Sequence, residues 1–270
     1  HITVMYGCHE AIAPDFMLFD YYIGLDTVPG SDRTVKLPYL RHHLQEVHGG
    51  KEGLDAHALL ASKTGFCNFI YANRKSHPNR DAMFHKLSAF RFVNSLGPHL
   101  NNTPGDGHRA EDWYASSIRM KKPYKFSIAF ENAWYPGYTS EKIVTSMLAG
   151  TIPIYWGNPD ISREFNSASF INCHDFPTLD DAAAYVKKVD EDDNLWCEIM
   201  SRPWKTPEQE ARFLEETERE TAKLYKIFDQ SPEEARRKGD GTWVSYYQRF
   251  LKRGHRMQLA WRRLKNRLRR

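Results

Sequence analysis

The chain has 270 residues, 41% hydrophobic and 27% charged, the make-up of a globular protein with room for two domains rather than a disordered one. No apolar run approaches the roughly 20 residues that a membrane-spanning helix requires, and no signal peptide is visible. The net charge of +4 is uneven: residues 249–270 hold ten Lys or Arg and no acid, so the rest carries −6 and does not look like a polyanion binder.

The first elements read as strand, loop, strand and loop. Ile2 to Tyr6 is an interior-type strand, GCHEAIAPDF a polar loop, and Tyr21 to Gly24 a second strand. His1 is not an initiator, so further residues are expected upstream. Pro29 to Asp32 is turn-rich, Tyr39 to Val47 has a helical pattern, and Gly49, Gly50 and Gly53 place a linker near residues 49–62. A second α/β unit follows. It opens with a strand Phe66 to Tyr71, a polar loop Ala72 to Asn79, a helix Arg80 to Leu87 and a strand Phe90 to Val93.

Its most informative stretch runs from Phe126 to Pro159. Phe126, Ile128 and Phe130 alternate with Ser127 and Ala129 and run into Glu131 and Asn132, a buried strand entering a functional loop. Glu141 and Lys142 then open a helix behind Thr139 or Ser140 as cap. Ile143, Val144, Met147 and Leu148 give that helix its apolar face, and Gly150 closes it before a strand Ile152 to Trp156. Such a unit builds its site at the strand ends. A short strand at Ser169 to Asn172, a helix at Leu179 to Val189 and a helical region from Pro207 to the end, interrupted at Gly239 to Gly241, complete a doubly wound α/β reading.

Two phosphate-binding classes fall away. There is no GxGxxG after a first strand and no GxxxxGK followed by Ser or Thr, so a diphosphate would have to be met by cationic side chains such as Arg80 and Lys142, aided by amides at two helix starts. Glu141 beside Lys142 is a candidate acceptor for ribose hydroxyls. Four separated cysteines, Cys8, Cys67, Cys173 and Cys197, have no metal-ligand spacing and read as buried reduced thiols. The acidic triplet Asp190, Glu191 and Asp192 follows a helix and reads as solvated surface rather than a metal site. In the tail, Phe250, Met257, Trp261, Leu264 and Leu268 form one apolar stripe flanked by arginines, the pattern of a helix lying on an anionic membrane or docked on its own protein. Confinement of the positive charge to one terminal helix speaks against nucleic-acid binding.

FENAWYPGYTSEKIVTSMLAGTIPIYWGNP resembles the donor-binding signature of the α-1,3-fucosyltransferases, glycosyltransferase family 10, which includes bacterial enzymes making Lewis antigens. The likeness continues through DISREFNSASFINCHDF and, more weakly, upstream through CHEAIAPDFMLFDYYIGLD and NRKSHPNRDAMF. The resemblance implies a GT-B fold, two Rossmann-like domains facing a cleft, with the N-terminal one incomplete in this chain. It divides the chain into an acceptor-side part at 1–62, a GDP-fucose-binding domain at 63–225 and a helical basic tail at 226–270. By the same resemblance Glu10 is the general base, Arg80 and Lys142 meet the donor phosphates, and Asn132, Tyr138 and Glu141 line the nucleotide pocket. The implied reaction inverts the anomeric carbon of GDP-β-L-fucose to give an α-fucoside on an oligosaccharide or glycolipid, with N-acetyllactosamine as the model acceptor. No metal is demanded, divalent-ion stimulation being left open. The chain departs from the family pattern at Trp134, Tyr135 and Pro136, in a GDGHRAEDW loop, and in lacking heptad repeats before its tail. The implied location is cytoplasmic, peripheral on the inner face of a bacterial membrane, with a Golgi-type anchor upstream as the other option. Two readings compete: a GT-B transferase with another nucleotide sugar, and an inactive glycan- or membrane-binding relative.

Overall fold

The computed structural model describes residues 2–7, 13–25, 30–37, 53–104, 112–239 and 241–267. Glu10, Cys8, the helix expected at Tyr39 to Val47 and most of the GDGHRAEDW loop lie outside them. The chain forms two compact units, the first made of its opening residues together with Arg219 onward, the second of residues from Pro38 to Glu218. Both sheets are parallel, as the alternation of strands and helices predicts.

In the first unit β1 (Val4–Gly7), β2 (Tyr21–Gly24) and β3 (Thr34–Lys36) lie in the order β1-β2-β3. Strand β3 hides in the sequence because its three residues follow directly on the turn at Ser31 to Arg33. Residues after 219 return to this sheet: Ile227 and Ala235 pack with Tyr21 and Val35, and the Tyr21 hydroxyl donates to Gln230 Oε1 at 2.9 Å. Buried Asp20 binds both ends of the unit, accepting from Thr3 N, Arg237 N and Lys238 N, each at 2.7 Å. Burial alone would raise its carboxyl, but these donors win and hold it at about 2. The boundary drawn at 225/226 from sequence cuts through the helix Pro207–Phe228, whose last residues belong to this unit.

The helix Thr242–Arg267 follows, as the tail pattern predicts. Tyr247 ties its start to Asp15 Oδ2 at 3.0 Å. Trp243, Tyr246, Phe250, Met257 and Trp261 on this helix are exposed. No helix among the described residues is long and apolar enough to cross a membrane.

The second unit holds β4 (Gly65–Phe69), β5 (Val93–Ser95), β6 (Tyr124–Phe130), β7 (Ile152–Trp156) and β8 (Ile171–Asn172), ordered β5-β4-β6-β7-β8. Phe126, Ile128 and Phe130 of β6 face one core with Phe69, Met83, Leu87, Ile154 and Trp196, while Ala129 faces the other with Ile143, Val144, Met147 and Phe165. Both faces of β6 are covered, and each fully buried Phe contributes roughly 1.5–3 kcal/mol. Two expectations are corrected. The predicted linker contains a helix, Ala56–Ala61, because Asp55 caps it by accepting from Ala58 N at 2.9 Å. Phe90 is the last residue of the helix Asn79–Phe90 rather than the start of a strand, and its ring packs edge-on against Phe66 at 5.6 Å.

Three cysteines, Cys67, Cys173 and Cys197, are free and buried, as expected. The acidic triplet is not simply solvated. Asp190 is buried and ion-paired to Arg91 at 2.9 Å and Lys125 at 3.3 Å, and Asp192 caps the helix Asp193–Ser201. Glu191 and Asp192 are exposed, as predicted, and only Asp190 departs, because the end of the helix Leu179–Glu191 turns it inward toward β6.

Candidate functional site

Polar residues gather at the carboxyl ends of β4, β6 and β7, where a parallel sheet leaves strand termini and helix starts facing the same side. Glu131 follows the last residue of β6 and is fully buried. Its Oε1 accepts from Ser140 N at 2.7 Å, and its Oε2 accepts from Ser140 Oγ at 2.6 Å and from Lys142 Nζ at 3.1 Å. Ser140 is the N-cap of the helix Glu141–Leu148 by position, yet its side chain makes no capping bond. The Glu131 carboxylate takes that place from across the loop, a stabilising arrangement at the positive end of a helix. This corrects one expectation: the start of this helix is occupied by a protein carboxylate and does not offer its cap amide to a phosphate.

Lys142 is the cation of this cluster. Its Nζ lies 2.8 Å from Ser140 Oγ and 3.8 Å from Glu141 Oε1, with a side chain 17% exposed. Burial favours loss of its proton, but Glu131 and Glu141 outweigh that and hold the amine well above its usual range. Glu141 is correspondingly lowered, burial being overcome by Lys142, its own backbone N–H and Lys121. Glu141 and Lys142, read from sequence as separate donor contacts, also pair with each other, and Glu131 is the third member of their cluster.

Backbone geometry keeps Glu131 in place. Gly157, after β7, has φ +150, and a Cβ there would lie 2.5 Å from Glu131 Cβ. Asn158 next to it organises the intervening loop: its Oδ1 accepts from Gly137 N at 2.8 Å and its Nδ2 donates to Thr139 Oγ1 at 3.0 Å. Gly137 has φ +77, which lets the chain turn into Tyr138. Tyr138 lies in this loop, as predicted, but is buried, with its carbonyl 3.5 Å from the Tyr155 hydroxyl.

Arg80 is the second residue of its helix and is completely buried. Its Nη2 donates to Asn73 O at 2.6 Å, its Nη1 to Asn132 Oδ1 at 3.4 Å, and its guanidinium lies over the Tyr71 ring at 4.4 Å. Asp81, 3.5 Å from its Nε, is held in turn by His99 Nε2 at 2.9 Å. Arg80 and Asn132 thus come together as predicted, but the guanidinium is fully enclosed, its Nη2 bound to Asn73 O. Tyr71 joins this half of the site to the other: its hydroxyl accepts from Phe130 N at 2.7 Å, and burial raises it against the pull of Lys142 and Arg80.

Sequence reasoning passed over Glu131, Tyr71 and Asn158 as site members. Glu131 and Asn158 lie inside the quoted motif, where a carboxylate directly after a buried strand was the available signal; Tyr71 read as a strand residue and gave none. No group of three or more His, Cys, Asp and Glu among the described residues could hold a metal ion.

A family model described as glycosyltransferase family 10 (fucosyltransferase) C-terminal matches residues 60–236, the stretch that contains this site. The α-(1,3)-fucosyltransferase of Helicobacter pylori is 29% identical over 238 residues, covering 76% of this chain and 48% of the relative. GDP-fucose protein O-fucosyltransferase 3 of Xenopus laevis is 37% identical over 131 residues, covering 47% of this chain and 28% of the relative. The chain therefore spans about half the length, or less, of these curated relatives. A crystal structure of an α1,3-fucosyltransferase with GDP-fucose superposes with a TM-score of 0.62 at 28% identity, covering 75% of this chain and 67% of that one. The parallel α/β architecture matches that structure, of GT-B type. With the donor-binding motif, the fold and the family model in agreement, the chain belongs to glycosyltransferase family 10, the fucosyltransferases.

Proposed function

We propose that the chain acts as an inverting α-1,3-fucosyltransferase, moving L-fucose from GDP-β-L-fucose to a hydroxyl of a glycan, O3 of GlcNAc in N-acetyllactosamine or in a glycolipid. The observation that carries the reading is the Glu131–Ser140–Lys142 arrangement at the end of β6, inside the stretch that the family model matches. In this reading Lys142 answers the charge that builds on the β-phosphate as the bond from fucose C1 to the GDP oxygen breaks, and Glu141 accepts from ribose hydroxyls. Arg80 adds its positive charge beside the phosphate, and Asn132 and Tyr138 shape the pocket wall. One carboxylate, Glu10, takes the proton from the acceptor oxygen as it attacks C1 from the opposite face. No covalent intermediate is needed, and inversion follows from a single displacement.

Full-chain protein supplied with GDP-fucose and N-acetyllactosamine is expected to yield an α-1,3 linkage by NMR. Glu10→Gln is expected to abolish transfer while GDP affinity stays within a few-fold; undiminished turnover removes Glu10 from the mechanism.

A peptide hydroxyl is the second acceptor reading, favoured by the likeness to a protein O-fucosyltransferase. Transfer to a serine- or threonine-bearing folded domain in place of N-acetyllactosamine would select it.

The tail adds a place of action. The exposed Phe250, Met257 and Trp261 on a basic helix support peripheral attachment to an anionic membrane, the inner face of a bacterial membrane being the natural one. Deleting residues 249–270 is expected to weaken sedimentation with phosphatidylglycerol vesicles by at least tenfold, roughly the cost of losing two or more basic side chains near the surface. Equal sedimentation with and without the tail would end this proposal.

A further inference from the structure

Behind the site, Lys121 ends the helix Trp113–Lys121. In sequence it forms a basic pair with Lys122, the ordinary finish of an exposed helix. The structure separates the two: Lys122 is exposed, whereas Lys121 is buried to 5% exposure. Its Nζ donates to Thr145 Oγ1 at 2.6 Å, Ser146 Oγ at 3.1 Å and Lys142 O at 3.4 Å. The two hydroxyls bond back to the first turn of the helix Glu141–Leu148, Thr145 Oγ1 to Glu141 O at 2.9 Å and Ser146 Oγ to Lys142 O at 2.7 Å. Ser146 Oγ also lies 3.1 Å from Ser127 Oγ, which donates to Asn68 Oδ1 at 2.9 Å, so the lattice continues into β6 and β4.

We propose that Lys121 is a positioning residue of the donor site: its ammonium fastens the turn carrying Glu141 and Lys142 to the sheet, and supplies the second positive charge that offsets the Glu131 and Glu141 carboxylates. The inference rests on the donor reading above and deepens it. The charged groups that act on this ammonium are Glu141 and Lys142 from the helix it supports and Glu131 from the end of β6. Around it, Thr145, Ser146, Ser127 and Asn68 are neutral. Loss of the Lys121 proton makes the cluster one charge more negative and weakens its attraction for a diphosphate. Burial lowers the amine, Glu141 raises it, Lys142 lowers it and Glu131 raises it, and the balance leaves it at about 7. Donor affinity should therefore be full below about pH 7 and fall as pH rises through it.

The test is calorimetric titration of GDP into the full chain, the Lys121→Arg variant and the Lys121→Met variant at about pH 6 and about pH 8.5, on either side of this amine's range. Ionisation of the GDP phosphate is common to all three, so the differences between proteins are read. Wild type is expected to lose about tenfold more affinity over this interval than Lys121→Arg, which stays charged, while Lys121→Met binds weakly at both. The same pH dependence in wild type and Lys121→Arg overturns the proposal, and this comparison stands even where Lys121→Met does not fold. A lowered melting temperature in Lys121→Met with an unchanged GDP profile overturns it too, because it leaves only a structural role. Wild type that is folded yet binds no GDP at either pH overturns the donor reading itself, and with it this one.

Discussion

Glu131→Ala is expected to lower the free energy of unfolding of the second unit by about 3–5 kcal/mol, the loss usual when one partner of a buried pair is removed. The change takes from the Lys142 ammonium, 17% exposed, its nearer carboxylate, leaving Glu141 at 3.8 Å, and leaves Ser140 N and Oγ without their acceptor. It also opens a space beside Gly157, where the Glu131 side chain packs. Glu131→Gln keeps an acceptor for Ser140 N but not the charge, and should fall between the two. Urea unfolding at constant m value measures both. A loss of less than about 1 kcal/mol for the alanine variant would mean that the pair is surface-like in its energetics.

Lys142→Ala is expected to reduce kcat/KM for fucosyl transfer by about 10²–10³, equivalent to about 2.7–4 kcal/mol, by analogy with removal of one preorganised donor from a site of developing negative charge. Because the same substitution leaves Glu131 buried without its cation, stability must be followed alongside. Lys142→Arg separates the two effects: it keeps the positive charge beside Glu131, but a planar guanidinium does not reproduce the compact contact of Nζ with Ser140 Oγ at 2.8 Å. Near-normal stability with strongly reduced turnover is the expected result for the arginine variant. Wild-type kcat/KM in folded Lys142→Ala would remove Lys142 from phosphate binding.

These expectations show which parts of the site are legible in sequence. The β6–helix–β7 unit could be read because period-two alternation, a run of cap residues and a closing glycine agree with one another over the whole of 126–159, so local and tertiary preferences point the same way. What escaped is nonlocal. Ser140 looks like a self-sufficient cap, and only the folded loop shows that Glu131, nine residues earlier, does the capping. Lys121 and Asp190 each look like surface charge in a string of charges; the turn of one helix end buries the first under hydroxyls and the second between Arg91 and Lys125. The return of Ile227 and Ala235 to the first sheet depends on contacts across almost the whole chain, which no local pattern records. Arg80 was found by motif, yet the cage of Tyr71, Asn73 and Asn132 that holds its guanidinium is set by the loop after β4, whose path has no periodic signature.

Whether the wall built on Glu131, Glu141 and Lys142 grips the GDP of GDP-fucose is decided by calorimetric titration of the full chain with GDP-fucose, GDP-mannose and UDP-galactose. A saturable isotherm is expected for GDP-fucose, at least about tenfold weaker in Lys142→Ala, with no measurable heat of binding for the uridine donor. Tight binding of UDP-galactose with none of GDP-fucose would contradict the donor reading.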